Sequence, residues 1–214
     1  MYTCIIFDVD GTLIDSQKAI IEALKKVLKE EKHSFEYSDE ELSFVLGIPG
    51  YLALEQLGVR DIKRSLNNWT EYTLLHSRYI RLFPKIENLL KLLRNLGMQT
   101  GVVTSNTKKE LEDNFLPFGL MDFFDYIVCA DDTERHKPNP EPLLKFLELS
   151  GANPSGSLYI GDTVYDLECA KGANVDFGLA LWAAKPHYEL NPKFKFKSPN
   201  EILKVIGIEE IENF

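Results

Sequence analysis

The chain has 214 residues, 44% hydrophobic and 27% charged, so it can bury a core as one large domain or two small ones. Its net charge of −9 and its pI near 5.0 argue against nucleic-acid and anionic-membrane partners, although a metal ion and local donors can still create a pocket for an anionic metabolite. The three scattered cysteines indicate a reducing compartment. Without a signal peptide or an apolar run near ~20 residues, we expect a soluble, cytoplasmic monomer or homodimer.

The first predicted strand is the apolar run at residues 3–9, and a helical segment follows it. From Asp15 to about Leu82 the sequence shows no convincing strand, only amphipathic helical patterns. The second of these helices opens with a capping box, in which a serine is followed three residues later by a glutamate. The predicted helices lie at residues 19–28, 38–47, 52–57 and 62–80.

A helical insert directly after the first strand of an α/β sheet lies above the carboxyl ends of the strands, where such sheets bind ligands. We therefore predict a Rossmann-like catalytic core at residues 1–14 and 83–214, and a helical cap at residues 15–82. A cap in this position can act as a lid. Its predicted hinges are Asp15 and residues 82–84.

Strands and helices alternate along the rest of the chain. Further apolar runs predict strands at residues 99–105, 126–130, 157–162 and, more weakly, 176–182. They are continuous rather than alternating, which is typical of strands covered on both faces in a parallel sheet. The helices are predicted from Ile86 to a C-terminal glycine at Gly97, then at residues 142–149, 166–173 and 200–206. This pattern predicts an α/β protein with a doubly wound parallel sheet, and the lysines at 193–197 indicate an edge strand.

Polar residues gather at the carboxyl ends of the predicted strands. In chain order they are Asp8, Asp10, Gly11, Thr104, Ser105, Asn106, Lys137, Asp162 and Asp166. Because the carboxyl ends of parallel strands share one edge, these side chains should converge on one crevice. Each feature alone has a structural alternative: a turn at the aspartates, a strand-end cap at Thr104, and a solvated surface lysine at Lys137.

The charges of this set indicate its chemistry. Several acids this close cannot all stay ionised unless a cation lies among them. Carboxylate oxygens without clustered histidine or cysteine favour Mg²⁺ over zinc. Thr104, Lys137 and free backbone amides, in the turn after Asp8 and at Ser105 and Asn106, can bind a tetrahedral oxyanion. A carboxylate nucleophile, a metal, donors and a lid together predict phosphoryl transfer.

Four short motifs, in order, make the sequence recognisable. Asp8-Val9-Asp10-Gly11-Thr12 matches DxDGT, Thr104 matches a Ser/Thr at a strand end, Lys137-Pro138 matches a Lys-Pro motif, and residues 161–166 match GDxxxD. Over essentially its whole length the chain resembles the haloacid dehalogenase superfamily of phosphohydrolases, in the phosphoglycolate phosphatase-like subgroup with a small helical cap. Asp10 makes it similar to the phosphatases, because dehalogenases of this superfamily generally lack the second aspartate.

The resemblance implies a role for each motif residue. Asp8 would attack the phosphorus to form an aspartyl-phosphate, and Asp10 would act as general acid and then general base. Asp8, the backbone carbonyl of Asp10 and Asp162 would hold Mg²⁺, with Asp166 completing or orienting that shell. The phosphoryl group would be bound by Gly11, Thr104, Ser105, Asn106 and Lys137.

The expected activity is hydrolysis of a small phosphomonoester similar to phosphoglycolate. Gly47-Ile48-Pro49 resembles a turn of phosphoglycolate phosphatase-like caps, although a helix stop followed by a turn explains the same residues. Arg60, Lys63 and Arg64 are either a cationic site for a second anionic group of the substrate or a solvated helix face.

Three alternatives stay open beside this expectation. Two are enzymes: an inorganic pyrophosphatase of the same family, and a β-phosphoglucomutase-like phosphotransferase that returns the phosphoryl group to a sugar. The third is a non-catalytic phospho-binding regulatory domain, since receiver domains also gather acids, a Ser/Thr and a lysine at strand ends. Receiver domains, however, place the phosphoacceptor after a later strand and have no helical insert after the first.

Overall fold

The computed structural model describes residues 1–31, 36–183 and 190–208. Within these ranges the strands are β1 Cys4–Phe7, β2 Ile14–Asp15, β3 Arg81–Leu82, β4 Gln99–Val103, β5 Tyr126–Val128, β6 Ser157–Gly161, β7 Asp176–Ala180 and β8 Phe194–Phe196. The α-helices are α1 Gln17–Glu30, α2 Asp39–Leu42, α3 Gly50–Gln56, α4 Ile62–Leu75, α5 Ile86–Asn95, α6 Lys108–Asn114, α7 Glu141–Ser150, α8 Val164–Gly172 and α9 Glu201–Val205.

Six strands form one sheet in the order β5-β4-β1-β6-β7-β8, and every pairing in it is parallel. β1 is near the middle of the sheet, where Cys4 lies opposite Gln99 of β4 and Ser157 of β6. This arrangement confirms the predicted α/β fold with a doubly wound parallel sheet. It also places the carboxyl ends of β1, β4 and β6 side by side.

Both faces of the sheet are covered by apolar helix faces, as the continuous apolar strands indicated. Ile86, Leu89, Leu90 and Leu93 of α5 pack on one face, together with apolar residues of α6 and α9. On the other face lie residues of α7 and α8, including the buried ring of Phe146. All three cysteines are buried single thiols, so they contribute to packing.

The predicted ends of several elements are confirmed. Helix α5 stops before Gly97, which adopts a left-handed φ of +67° that favours glycine. Ser38 forms the predicted capping box with Glu41, in which each side chain accepts from the backbone N–H of the other residue. β8 lies at the edge of the sheet, where its lysine-rich flanks discourage pairing with another chain.

The helical insert, residues 16–80 between β2 and β3, departs from the predicted elements in three places. β2 and β3 pair as an antiparallel ribbon, with Asp15 opposite Arg81, where no strand was predicted from Asp15 onward. A two-residue strand is too short to show any periodicity in the sequence. The second helix is α2 followed by a 3₁₀ segment, Ser43–Gly47, and the fourth ends at Leu75 rather than near residue 80.

The described part of the helical insert has a small core of its own. Leu24, Leu28, Leu42, Leu54 and Trp69 are buried within it, in a cluster separate from those on the two faces of the sheet. The indole N–H of Trp69 donates to the Ile20 carbonyl at 3.0 Å, which ties α4 to α1. Across the described ranges, no helix is long and apolar enough to cross a membrane.

The packing of α7 on β4 yields a stability prediction. Gly101 leaves space for the Phe146 ring, since a Cβ at Gly101 would overlap that ring. Phe146→Ala should therefore leave a large cavity and lower the unfolding free energy by about 3–5 kcal/mol, measured by urea denaturation. Leu149→Ala on the same helix, where Leu149 is 48% exposed, is the control and should cost much less. Equal losses would contradict the assigned packing.

Candidate active site

Residues that directly follow the central strands form the floor of the site. The backbone N–H of Asp8 donates to the Ile160 carbonyl at 2.8 Å, so Asp8 continues the pairing of β1 with β6. Thr104 follows β4 in the same way, and its N–H donates to the Val128 carbonyl at 3.0 Å. Asp162 follows β6 directly. The parallel register therefore delivers all three side chains to one edge of the sheet.

The turn after β1 allows two loops to approach closely. The Val9 carbonyl accepts from the backbone N–H groups of residues 12–14 at 2.8–3.2 Å. Gly11 has a left-handed φ of +79°, and a Cβ at this position would overlap the carboxylate of Asp162. Glycine is therefore required here both by the backbone conformation and by the space that Asp162 occupies.

Lys137 is a buried cation between two of the acids. Its side chain reaches the site from the loop after β5, and the residue is 3% exposed. The ammonium donates to Asp8 Oδ1 and Asp166 Oδ1, both at 2.7 Å. Burial opposes the charged form of Lys137, but attraction by Asp166 and Asp8 outweighs it and raises the pKa of the ammonium. Lys137 is therefore a buried, charged part of the site.

Asp166 accepts hydrogen bonds at both carboxylate oxygens. Oδ1 accepts from Lys137 and from the Tyr159 hydroxyl at 2.8 Å, and Oδ2 accepts from the N–H of Thr163 at 3.1 Å and its hydroxyl at 2.6 Å. Burial alone would raise the pKa of Asp166, but the charge of Lys137 and these hydrogen bonds hold it below its usual value. The four donors match the roughly four acceptor directions of a carboxylate.

Asp10 is held by two hydrogen bonds from opposite sides of the site. The hydroxyl of Ser16, at the start of α1, donates to one carboxylate oxygen, and the Asn106 side-chain amide donates to the other at 2.7 Å. Burial raises the pKa of Asp10, and the bonds from Ser16 and Asn106 offset part of that rise. The Asp10 carboxyl therefore has a fixed orientation.

The loop after β4 joins the site to the helical insert. The Ser105 hydroxyl donates to the carbonyl of Gly47 at 3.1 Å, so this side chain contacts the insert. The Asn106 backbone N–H, which we predicted to be free for an oxyanion, donates to Thr104 Oγ1 at 3.1 Å. A Cβ at Gly47 would overlap the ring of Tyr165, so the LGIPG segment lies directly on the core.

Three carboxylates provide a group that fits a hard divalent cation. One oxygen each from Asp8, Asp162 and Asp166 lies within 4.8 Å of the others, and buried Asp162 Oδ1 has no hydrogen-bond partner among the described residues. Burial raises the pKa of Asp8 to about 7 against the opposing charge of Lys137. Burial, then repulsion from Asp166 and Asp8, raises the pKa of Asp162 well above its usual value. A cation held by all-oxygen donors would relieve this repulsion, and the residues therefore fit Mg²⁺.

A cleft between the sheet edge and the helical insert contains Asp8, Asp10 and Thr104. Its other wall is formed by insert residues that are mainly apolar, with two threonines: Ile20, Val45, Leu46, Ile48, Trp69, Thr70 and Thr73. Arg60, Lys63 and Arg64 are exposed and do not line this cleft. Their positions agree with the solvated-face interpretation.

The structure brings the nine predicted site residues to one edge of the sheet and adds three that the sequence interpretation missed. These are Ser16, Tyr159 and Thr163, each hydrogen-bonded to one of the predicted aspartates. Thr163 could have been found, because Thr163 and Asp166 have the spacing of a capping box. For Tyr159 the sequence offered only a general indication, which is that the hydroxyl of a tyrosine in a buried strand needs a hydrogen-bond partner.

The protein is of the α/β class, with an acidic centre at the carboxyl edge of its parallel sheet and a helical insert after the first strand that covers this edge. The family profile described as "Haloacid dehalogenase-like hydrolase" matches residues 5–180. The chain belongs to this haloacid dehalogenase-like hydrolase family, as its four motifs indicated.

Relatives of known name cover nearly the whole chain. A phosphoglycolate phosphatase of Aquifex aeolicus is 35% identical over 97% of this chain and 98% of its own. A Caldanaerobacter subterraneus protein named "Putative pyrophosphatase PpaX" is 32% identical over 99% of this chain and 98% of its own. A crystal structure of a "putative phosphoglycolate phosphatase" from Lactobacillus plantarum aligns with a TM-score of 0.86 at 31% identity, covering 96% of this chain and 99% of the other.

Gly11 offers a test of the close approach between the β1 loop and Asp162. In Gly11→Ala the alanine must adopt a left-handed φ and its Cβ must also displace the Asp162 carboxylate. In Gly58→Ala the backbone strain is the same kind, at φ +70°, but a Cβ there has no atom within 4 Å to displace. Gly58→Ala should lower the unfolding free energy in urea by about 1–2 kcal/mol, and Gly11→Ala by clearly more. Equal losses for the two variants would contradict the steric role assigned to Gly11.

Proposed function

We propose that this hydrolase is a Mg²⁺-dependent phosphatase that cleaves a small phosphomonoester through an aspartyl-phosphate intermediate. The observation that carries the proposal is the Lys137 ammonium, 2.7 Å from Asp8 Oδ1, in a buried site where Asp162 Oδ1 has no hydrogen-bond partner within the described ranges. A carboxylate nucleophile attacking a phosphate ester needs positive charge on both sides of the reacting group. This site pairs a fixed ammonium with oxygens suited to a divalent cation.

Asp8 and Asp10 divide the reaction into two displacements. In the first, a carboxylate oxygen of Asp8 attacks phosphorus, the ester P–O bond breaks, and the leaving alkoxide takes a proton from the Asp10 carboxyl. In the second, the Asp10 carboxylate takes a proton from water as that water attacks the aspartyl-phosphate. Inorganic phosphate leaves, Asp8 is again a carboxylate, and Asp10 is again protonated. The raised pKa of buried Asp10 suits the acid role in the first step.

The remaining site residues hold the reacting group. Lys137 would stabilise the negative charge of the phosphoryl oxygens, and the Thr104 hydroxyl would donate a hydrogen bond to them. Asp8, the Asp10 carbonyl and Asp162 would hold Mg²⁺, which when bound neutralises part of the phosphoryl charge. Because both oxygens of Asp166 already accept two hydrogen bonds each, we assign Asp166 the role of orienting Lys137 and the metal shell.

The helical insert fits the role of a cap over this reaction. The two-residue ribbon of β2 and β3 connects it to the core at Asp15 and Leu82, the predicted hinge positions. In the structure its Gly47 lies against the Tyr165 ring and accepts from Ser105. A cap that closes over the cleft excludes water from the aspartyl-phosphate and strengthens the electrostatic interactions below it.

Small substrates are the best candidates for this cleft. A relative at 35% identity is named phosphoglycolate phosphatase, and another at 32% carries a pyrophosphatase name. We therefore place phosphoglycolate first and pyrophosphate second among the substrates to test.

The direct test compares wild type, Asp8→Asn and Asp122→Asn in turnover of p-nitrophenyl phosphate, with Mg²⁺ and after its removal by EDTA. Asp8→Asn should lose turnover by a factor of about a thousand or more, because the amide is not a competent nucleophile. Asp122→Asn is the matched control, since Asp122 is exposed and lies outside the cleft, and it should retain activity. EDTA should abolish wild-type turnover, and added Mg²⁺ should restore it.

A panel of phosphoglycolate, pyrophosphate and sugar phosphates then ranks the substrates by kcat/KM. Turnover retained in Asp8→Asn would refute the nucleophile assignment. If wild type hydrolysed no member of the panel above background, the phosphatase proposal itself would be wrong. A good sugar phosphate with poor phosphoglycolate and pyrophosphate would instead exclude the proposed substrate subgroup.

Gly47 tests whether contact between the insert and the core supports catalysis. A Cβ at Gly47 would overlap the Tyr165 ring and lie 3.2 Å from Thr163 Oγ1, so Gly47→Ala should prevent close seating of the insert. We expect kcat/KM to fall about tenfold or more while the melting temperature changes little. Ser105→Ala, which removes only the hydrogen bond to the Gly47 carbonyl, should have a smaller effect. Unchanged kinetics in Gly47→Ala would contradict the cap role.

A further inference from the structure

A fully buried tyrosine hydroxyl connects two parts of the site. Tyr159 is the central residue of β6 and is 0% exposed. Its hydroxyl lies 2.8 Å from Asp166 Oδ1 and 2.9 Å from the carbonyl oxygen of Val103. Val103 is the last residue of β4, immediately before Thr104. One hydroxyl therefore contacts both the strand that presents Thr104 and the carboxylate that binds Lys137.

The single proton of this hydroxyl limits where the Lys137 ammonium can lie. Both neighbours of the Tyr159 hydroxyl are acceptors, and the ionised carboxylate of Asp166 is the stronger one. Asp166 Oδ1 must also accept from Lys137, at 2.7 Å. A proton donated by Tyr159 occupies one acceptor direction of that oxygen. The ammonium is then restricted to the other direction, which leads toward Asp8.

The aromatic ring of Tyr159 is also close to the ammonium. Lys137 Nζ lies 5.4 Å from the ring centroid, within the range of a cation–π contact. The ring itself is held by packing against Phe177, at a centroid distance of 6.1 Å. A substitution that keeps the ring therefore keeps the packing and this contact, and changes only the hydrogen bonds of the hydroxyl.

We propose that Tyr159 is a positioning residue for phosphoryl transfer: its hydroxyl orients Asp166, and Asp166 with Asp8 places the Lys137 ammonium against the reacting phosphoryl group. The inference rests on the proposed phosphatase function. Charge on the phosphoryl group is redistributed in the transition state, so a displaced ammonium reduces kcat more than substrate binding. Tyr159 does not line the cleft between the sheet edge and the helical insert, so its hydroxyl would not contact the organic part of a substrate bound there.

The test is Tyr159→Phe, which removes one oxygen atom and keeps the ring. With p-nitrophenyl phosphate and saturating Mg²⁺, kcat should fall about tenfold to a hundredfold, the scale of a lost hydrogen bond to a charged group. KM should change by less than about twofold, because the binding contacts of the substrate are intact. Orthovanadate, which mimics the five-coordinate phosphorus, should inhibit more weakly by a factor similar to the loss in kcat.

Tyr126→Phe is the matched control for loss of a tyrosine hydroxyl. Tyr126 lies in the edge strand β5, with its ring edge-on to Phe146 and outside the cleft. It should retain the wild-type kcat. Melting temperatures of both variants separate a loss of stability from a loss of positioning.

The route through Asp166 is tested by a double-mutant cycle with Asp166→Asn. If Tyr159 acts through Asp166, adding Tyr159→Phe to Asp166→Asn should reduce kcat much less than it does in wild type. Fully additive losses would overturn this route.

A lower melting temperature with unchanged kcat in Tyr159→Phe would make the residue merely structural and overturn the inference, while leaving the phosphatase function intact. Absence of Mg²⁺-dependent turnover in wild type would instead overturn the proposed function.

Discussion

Mutual repulsion among four crowded carboxylates, those of Asp8, Asp10, Asp162 and Asp166, is an electrostatic constraint that the residues around the carboxyl edge of the sheet must satisfy. Burying the Lys137 ammonium among these acids costs free energy, because the ammonium and the carboxylates beside it both lose their hydration. Stability alone does not explain such a group, since apolar residues of similar volume would cost less. Lys137 offsets the charge of Asp8 and Asp166, whereas one buried oxygen of Asp162 has no hydrogen-bond partner among the residues that the structure describes. This excess of carboxylates over ammonium groups suits a site that binds a cation and a phosphate ester.

The surrounding structure serves this constraint in several ways. Gly11 removes a side chain so that the Asp162 carboxylate can approach the β1 loop. Ser16 and Asn106 fix the Asp10 carboxyl, and the capping box at the start of α8 fixes Asp166. Asp10 and Asn106 line a cleft partly covered by the helical insert, and Asp166 is buried, so a lower effective dielectric strengthens the charge interactions of both acids.

Most of the fold could be predicted from the sequence, since its signals are local. Continuous apolar runs indicated the parallel strands, and Gly97 and the Ser38 capping box marked helix ends that the structure confirms. The β2–β3 ribbon could not be predicted, because two residues carry no period and their pairing joins positions 15 and 81. The split of the second helix at Leu42 was missed for a related reason: the apolar pattern of a 3₁₀ segment resembles that of an α-helix over so short a stretch.

The family, the strands of the sheet and the nine candidate residues could be inferred from the sequence, because motif order and strand-end position can be read along the chain. The contacts among these residues could not, because they form between segments that are far apart in the sequence. Lys137 and Asp8 are 129 residues apart, Asn106 and Asp10 are 96 apart, and no local pattern records either contact. Nor did the sequence single out Tyr159, whose hydroxyl reaches Val103 across the sheet. Hydrogen bonds between distant segments depend on parallel register and side-chain direction, and both exist only in the folded chain.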